Sequence, residues 1–277
     1  MGLAVRLCLI GMWLVLMGLH TWKFVLPGLG VVERHDLSAG LARQLDRSLS
    51  YDLIRPATDG TAKRLGGSNI SVSRDDAGFR CDLHFELDAL PGFSRPSTDG
   101  QPAIRITATE KLDDRFRLTA ITAEGEAMGM PITATAVVDH RGLTGTLMLA
   151  GKPQNFTLPD VGRDDGAAMD LGLTLPPGLK PGDTFKSKML DIGITMTPTE
   201  RVSVFTAIDR EPIVTKAGEL TLLKVVVSTD GKTRATYWCD DDGTVYRAAL
   251  GDGTMAMELV RIRGAAGQAI WPKGPTP

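Results

Sequence analysis

Apolar and polar residues alternate with a period of two over most of the chain after Pro56. In the clearest run, Phe79–Asp88, every odd-numbered residue is apolar and every even-numbered residue is polar or charged. Because successive side chains of a strand point to opposite faces, this pattern predicts a strand with one buried and one solvated face. Similar runs are Ile70–Arg74, Ile104–Glu110, Phe116–Ala123, Ile132–Asp139, Thr144–Ala150, Met189–Thr197, Arg201–Asp209, Leu220–Thr229, Thr233–Cys239, Val245–Leu250 and Met255–Ile262.

Short turns rich in Asp and Gly separate these runs, for example Asp76-Ala77-Gly78 and Asp230-Gly231. Such turns connect neighbouring antiparallel strands. We therefore predict an all-β fold, an antiparallel meander that forms a curved sheet or half-barrel modules.

The stretch from Gly151 to Gly182 is rich in Gly, Pro and Asp, a composition that cannot form a central strand. It predicts a boundary near residue 160, with a first β-rich module at 57–160, a second at 161–263 and a flexible tail at 264–277. Residues 137–142 and 238–243 share an apolar strand end followed by a turn with Asp and Gly. This similarity fits either a duplicated module or two unrelated hairpins.

Residues 7–26 form an almost unbroken apolar run. A helix needs about 20 such residues to cross a bilayer, so residues 1–27 are predicted to be a transmembrane anchor. A cleaved secretory signal is the alternative, with Arg6 as its charged region and Gly28 and Gly30 as small residues for a peptidase. Either segment at this position favours an extracytoplasmic domain, on the periplasmic side of an inner membrane.

The segment 28–56 is interpreted as a membrane-proximal helix followed by a linker. Its apolar residues Leu37, Leu41, Leu45 and Leu49 recur in steps of four, which places them on one stripe of a helix.

Composition excludes several classes of protein. The chain has 277 residues, a formal charge of −2 and 3 Cys, and its basic residues are scattered. A nucleic-acid partner would need a basic surface, and a disulfide scaffold would need more cysteines.

No arrangement of residues suggests catalysis or metal binding. Cys239 is followed by three acids, which would raise the pKa of a thiol and weaken it as a nucleophile. His84 falls on the charged face of its strand, and His140 falls in a turn. The acids Asp240–Asp242 lack the spacing of a calcium-binding loop. We predict no catalytic residue, no metal and no cofactor, and hence no enzyme.

Two sets of residues remain as structural or binding candidates. Cys81 and Cys239 are the cysteines outside the N-terminal segment, and either a disulfide or two buried thiols fits them. Methionines in or beside strands either fill the core or line a cavity for an apolar ligand. The candidates for such a lining are Met128, Met130, Met255 and Met257.

The C-terminal half contains a succession of turn and strand segments: Leu179–Asp183, Val202–Val204, Gly218–Val225, Tyr237–Arg247 and Met257–Arg261. In this succession it resembles bacterial extracytoplasmic β-rich domains of unknown function. Such domains are similar to the strand-rich modules that accompany transglutaminase-like domains in envelope proteins. The resemblance implies a half-barrel like that of lipoprotein carriers. The Cys-His-Asp machinery of a transglutaminase-like domain has no counterpart in this chain, so the resemblance implies no activity.

These inferences lead to two main hypotheses. The first is a membrane-anchored, extracytoplasmic binding or scaffold protein, which holds an apolar ligand such as a lipid in a half-barrel concavity. The alternative is a non-catalytic accessory subunit of a separate envelope enzyme. An enzyme whose site is spread over several strands is a third class.

Overall fold

The computed structural model describes residues 42–56, 62–88, 103–159, 175–192, 198–216, 218–251 and 253–264. These residues form fourteen strands. The strands are β1 (Arg47–Pro56), β2 (Ala62–Asp75), β3 (Gly78–Leu87), β4 (Ile104–Leu112), β5 (Leu118–Ala127), β6 (Met130–Asp139), β7 (Gly142–Leu149), β8 (Lys152–Leu158), β9 (Thr184–Ile192), β10 (Pro198–Thr215), β11 (Gly218–Thr229), β12 (Lys232–Cys239), β13 (Val245–Leu250) and β14 (Met255–Arg263).

All fourteen strands belong to one antiparallel sheet, so the prediction of an all-β meander is confirmed. Each strand pairs with its neighbours in sequence, except that β8 and β9 lie at the two edges and β1 pairs with β14. The β1–β14 pair joins the strands β1–β8 to the strands β9–β14. The segment between β8 and β9, which contains the predicted boundary near residue 160, therefore connects the two edges.

The sheet is strongly curved. Eleven strands separate β8 from β10 in the sheet order, which would place them about 58 Å apart in a flat sheet. Instead, Cα atoms of β8 and β10 approach within 8 Å. Glycines permit close approach between strands: a Cβ atom on Gly125 would lie 2.1 Å from the carbonyl oxygen of Arg105. Glycine at such a position allows a strand to bend.

The core lies on one face of the sheet, which we call the inner face. In β3, the alternation predicted for Phe79–Asp88 is confirmed, since Leu83 and Leu87 are buried and Arg80 and His84 are exposed. One cluster at one end of strands β3–β8 consists of Phe79, Leu112, Leu118, Ile121, Ala136, Leu143 and Leu158. Among β9–β12, stacked Phe185 and Phe205, with ring centroids 4.7 Å apart, form a second packed region.

The predicted membrane-proximal helix is wrong from Leu45 onward. Ala42 and Arg43 are helical, but Leu45 bridges to β2 and β1 begins at Arg47. On β1, Leu49, Tyr51 and Leu53 are buried, and the strand is hydrogen-bonded on both sides, to β2 and β14. Burial and two ladders of backbone hydrogen bonds therefore outweigh the four-residue spacing, which is also a multiple of the strand period.

The positions of two strands, β8 and β9, differ from the prediction. The Gly- and Pro-rich stretch 151–182 contains β8, which carries Pro153 and lies at an edge, where a missing backbone N–H is tolerated. The strand predicted at 189–197 is β9, Thr184–Ile192.

Within the described ranges, no helix combines the length and hydrophobicity required to traverse a bilayer. The predicted anchor at 7–26 and the predicted tail at 264–277, apart from its first residue, lie outside those ranges.

Candidate ligand-binding face

An apolar surface crosses strands β3–β7 on the inner face of the sheet. Strand register aligns two adjacent rows of side chains across these five strands. We call these rows the apolar trough. The first row is Phe85, Ile106, Gly125, Ile132 and Leu149, and the second is Leu83, Ala108, Ala123, Ala134 and Leu147.

The trough is only partly covered. Phe85, Ile106 and Leu149 in the first row are half-buried, although they share a face with fully buried core residues. In the second row, Ala123 and Ala134 are also half-buried, and their small side chains occupy little of the space above the sheet. Ligand sites are typically lined by apolar side chains with a few polar groups among them.

A buried hydroxyl group lies at one end of the first row. Ser68 on β2 is the register partner of Phe85, and only 7% of it is exposed. Its Oγ has no hydrogen-bond partner in the structure. Leaving a buried hydroxyl unpaired costs about 1–3 kcal/mol. A polar atom of a ligand in the trough would remove this cost.

The four methionines proposed as a cavity lining have different environments. Met128 and Met130 lie at the β5–β6 turn, 56% and 38% exposed. Met257 on β14 is buried between Leu53 of β1 and Ala248 of β13, and Met255 is half-buried. Met130 follows the inner-face alternation of Ile132. The residues of the trough were missed because they are ordinary strand residues whose register cannot be read from the chain.

Both candidate cysteines are free thiols in the structure. Burial, with a smaller contribution from Glu110, raises the pKa of Cys81 far above its usual value. Burial, and next Asp240, raises the pKa of Cys239 to about 12. The Cys239 Sγ donates to the carbonyl oxygen of Leu223, 3.7 Å away. Neither thiol is activated as a nucleophile.

The acidic turn after Cys239 holds several segments together. Asp240 accepts hydrogen bonds from the backbone N–H groups of Asp242 and Thr244, and burial raises the pKa of its carboxyl group. Asp241 pairs with Arg210 on β10, and Asp242 pairs with Arg43. These three carboxylates therefore have a structural explanation. Among the described residues, no group of His, Cys, Asp or Glu side chains could hold a metal ion.

His84 lies on the outer face, as its place in the alternation predicted. Its Nδ1 is 3.2 Å from the Thr107 hydroxyl, and its Nε2 is 3.1 Å from Glu86. Burial alone would raise the pKa of Glu86, but hydrogen bonds from His84 and Arg105 outweigh burial and lower it. This surface is therefore a network of paired polar groups.

No protein family and no curated protein matches the chain. A DUF1089 family protein from Pseudomonas aeruginosa is similar in structure, with 13% identity, coverage of 65% of this chain and 87% of that chain, and a TM-score of 0.38.

Two further solved structures are similar to this chain. One is a predicted exported protein with a YmcC-like fold from Bacteroides fragilis, with 11% identity, coverage of 79% and 96%, and a TM-score of 0.29. The other is a predicted lipoprotein from Parabacteroides distasonis, with 9% identity, coverage of 80% and 96%, and a TM-score of 0.30. Likenesses at these scores carry no conclusion about function, which must come from the residues of this chain.

Proposed function

We propose that this protein binds an elongated apolar ligand, such as the acyl chain of a lipid, in the apolar trough. The observation that carries the proposal is the first row of the trough, in which Phe85, Ile106 and Leu149 are half-buried and which ends at the unpaired hydroxyl of Ser68. An acyl chain would cover the row and gain about 25 cal/mol for each Å² of apolar surface removed from water. A polar atom at the end of the chain would bond Ser68.

The role is binding without catalysis. Two observations support this proposal. The thiols of Cys81 and Cys239 are buried and have raised pKa values, and His84 is held in a surface network of hydrogen bonds. We further propose that residues 7–26 anchor the chain and that the β-rich part lies on the periplasmic side of the membrane. Protease protection in spheroplasts tests that topology, and the intact mass of the mature protein distinguishes an anchor from a cleaved signal.

Ligand binding is tested with the full chain in detergent. Native mass spectrometry should detect co-purified lipid, and cis-parinaric acid should bind saturably. Ala134→Trp should fill the trough and weaken parinaric acid binding at least about 10-fold, a difference of about 1.4 kcal/mol. The control is Val137→Trp, which adds the same bulk to the exposed outer face of β6.

Equal binding by the two tryptophan variants would contradict the proposal, as would the absence of both lipid and saturable parinaric acid binding. Circular dichroism checks that each variant is folded. Ser68→Ala supplies a milder variant: it should keep the fold and weaken binding of the fatty acid more than binding of a hydrocarbon chain without a head group.

An accessory subunit of a separate envelope enzyme is the second candidate. Three exposed apolar side chains on β10, Val202, Ile208 and Val214, favour contact with another protein. Val214 is 77% exposed, so Val214→Asp should leave the fold intact. If this candidate is correct, an enzyme that co-purifies with the full chain will be lost in the variant.

A further inference from the structure

A polar groove lies on the outer face of the sheet over β4, β5 and β6. Its volume is about 430 Å³. The lining consists of Thr107, Thr109, Thr122, Ala123, Glu124, Thr133, Ala134 and Thr135. We call it the threonine groove. Its threonines and Glu124 lie on the face opposite the apolar trough, because they alternate with the inner-face residues. Ala123 and Ala134, which belong to the trough, lie between them along β5 and β6.

Strand register places the groove's hydroxyl groups in a regular grid. Thr109, Thr122 and Thr135 are successive partners across the three strands. Thr107, Glu124 and Thr133 form the parallel row two residues along. The grid spacing is about 4.8 Å between strands and about 6.7 Å along each strand. The groove thus presents polar groups at repeating intervals, which suits a ligand with repeating polar groups.

The hydroxyls at one side of the groove are oriented by neighbours. The Thr109 Oγ1 donates to Asp82 at 2.6 Å and accepts a long hydrogen bond from Arg80 at 3.4 Å, so one lone pair of its oxygen is left to accept from a ligand. Thr107 is held by His84. In the described part of the chain, the side chains of Thr122, Thr133 and Thr135 have no hydrogen-bond partner, so each hydroxyl can donate and accept.

The charge around the groove selects the ligand further. Beside the groove, Arg80 pairs with Asp82 on β3, and Arg105 on β4 pairs with Glu86 on β3. These pairs leave little net charge. Glu124 is the one charged residue of the lining, and within the described residues it forms no ion pair. A carboxylate without an ion-pair partner repels phosphates and other anions, so a neutral ligand fits the groove better than an anion does.

From this geometry we propose that the threonine groove binds a neutral, polyhydroxylated ligand, a glycan chain. Sugar hydroxyls would exchange hydrogen bonds with the threonines and Glu124. Threonine methyl groups and the backbone near Ala123 and Ala134 would contact the C–H faces of the sugar rings. The lining contains no aromatic side chain, so we expect a dissociation constant of about 1 mM, equivalent to about −4 kcal/mol.

Saturation-transfer NMR tests this proposal on the full chain, in a detergent without a sugar head group. The probes are maltohexaose and chitohexaose. At least one should give a saturable signal, and the double variant Thr122→Val, Thr135→Val should weaken its binding at least about 5-fold, since it removes two hydroxyls without changing side-chain shape. The control Thr221→Val alters an exposed threonine on β11, outside the groove.

The result that overturns the proposal is the absence of a saturable signal from both glycans, or equal binding by the double variant and the control. A heparin hexasaccharide tests the predicted neutrality. It should fail to displace the bound glycan, and displacement would overturn the assignment to neutral ligands. Parinaric acid binding should be unchanged in the double variant, so the outcome here is independent of the apolar trough.

Discussion

Tyr51 gives the sharpest test of the pairing that joins the two parts of the sheet. Its side chain is buried on β1, and its hydroxyl donates to the carbonyl oxygen of Val245 on β13, 3.0 Å away, across the intervening β14. Tyr51→Phe keeps the ring and removes only this hydrogen bond. The Val245 residue is fully buried, so water cannot replace the lost donor.

The expected cost is about 2 kcal/mol, within the range of about 1–3 kcal/mol for leaving a buried polar group unpaired. For a unit of this size, that cost lowers Tm by about 4–8 °C. Urea denaturation should be followed by far-UV circular dichroism, which reports on the whole sheet, and by tryptophan fluorescence, which includes Trp238 on β12.

The control is Ser50→Ala, which changes the neighbouring residue on the outer face of the same strand. Ser50 accepts one long hydrogen bond, 3.4 Å from the Asn69 amide, so its loss should cost less than about 0.5 kcal/mol. If Tyr51→Phe also costs less than about 0.5 kcal/mol, the hydroxyl does not bridge to β13 and the reasoning about this junction is refuted.

Three further predictions concern pH and curvature. Burial raises the pKa of Asp240, so ionisation of this carboxyl group destabilises the folded state as the pH rises. In urea denaturation, Asp240→Asn should therefore gain stability relative to wild type between about pH 4 and 7. A relative loss of stability would contradict this prediction. Burial alone would raise the pKa of Asp52, but Lys216 and Arg64 outweigh it and lower the pKa. Asp52→Asn should therefore cost about 0.5 kcal/mol at pH 7, and this cost should diminish as the pH falls through the folded pKa. Gly125→Ala should destabilise by about 1–3 kcal/mol in the same assay, because the added Cβ would meet the Arg105 carbonyl; an unchanged midpoint would mean that the strands do not approach so closely.

The sequence predicts local structure well where one face of a strand is buried and the other is solvated. Phe79–Leu87 is such a strand, and its pattern identifies both its type and its inner face. The β1 strand was missed because Leu45 and Leu49 fit a helix and a strand equally. Tyr51 and Leu53 contain the deciding signal, since they continue the alternation and break the helical stripe.

The candidate sites depend on information that is absent from local patterns. Predicting the apolar trough requires the register of five strands. Predicting that the Ser68 hydroxyl is unpaired requires the positions of all the residues packed around it. The threonine groove could be anticipated in part, because Thr107-Ala108-Thr109 and Thr133-Ala134-Thr135 repeat the same spacing. The sheet order places β5, which carries Thr122, between the two strands that contain these segments. This order cannot be read from the local pattern.

The pairing of β1 with β14 has a consequence for synthesis. Ser48 lies opposite Arg263, so the backbone groups on one side of β1 have no partner until β14 has emerged from the ribosome. During this interval each group of meandering strands can assemble from local contacts, but the two groups cannot join. An exposed strand edge is a point of aggregation. Loss of β14 should therefore leave β1 as a free edge between the two groups of strands.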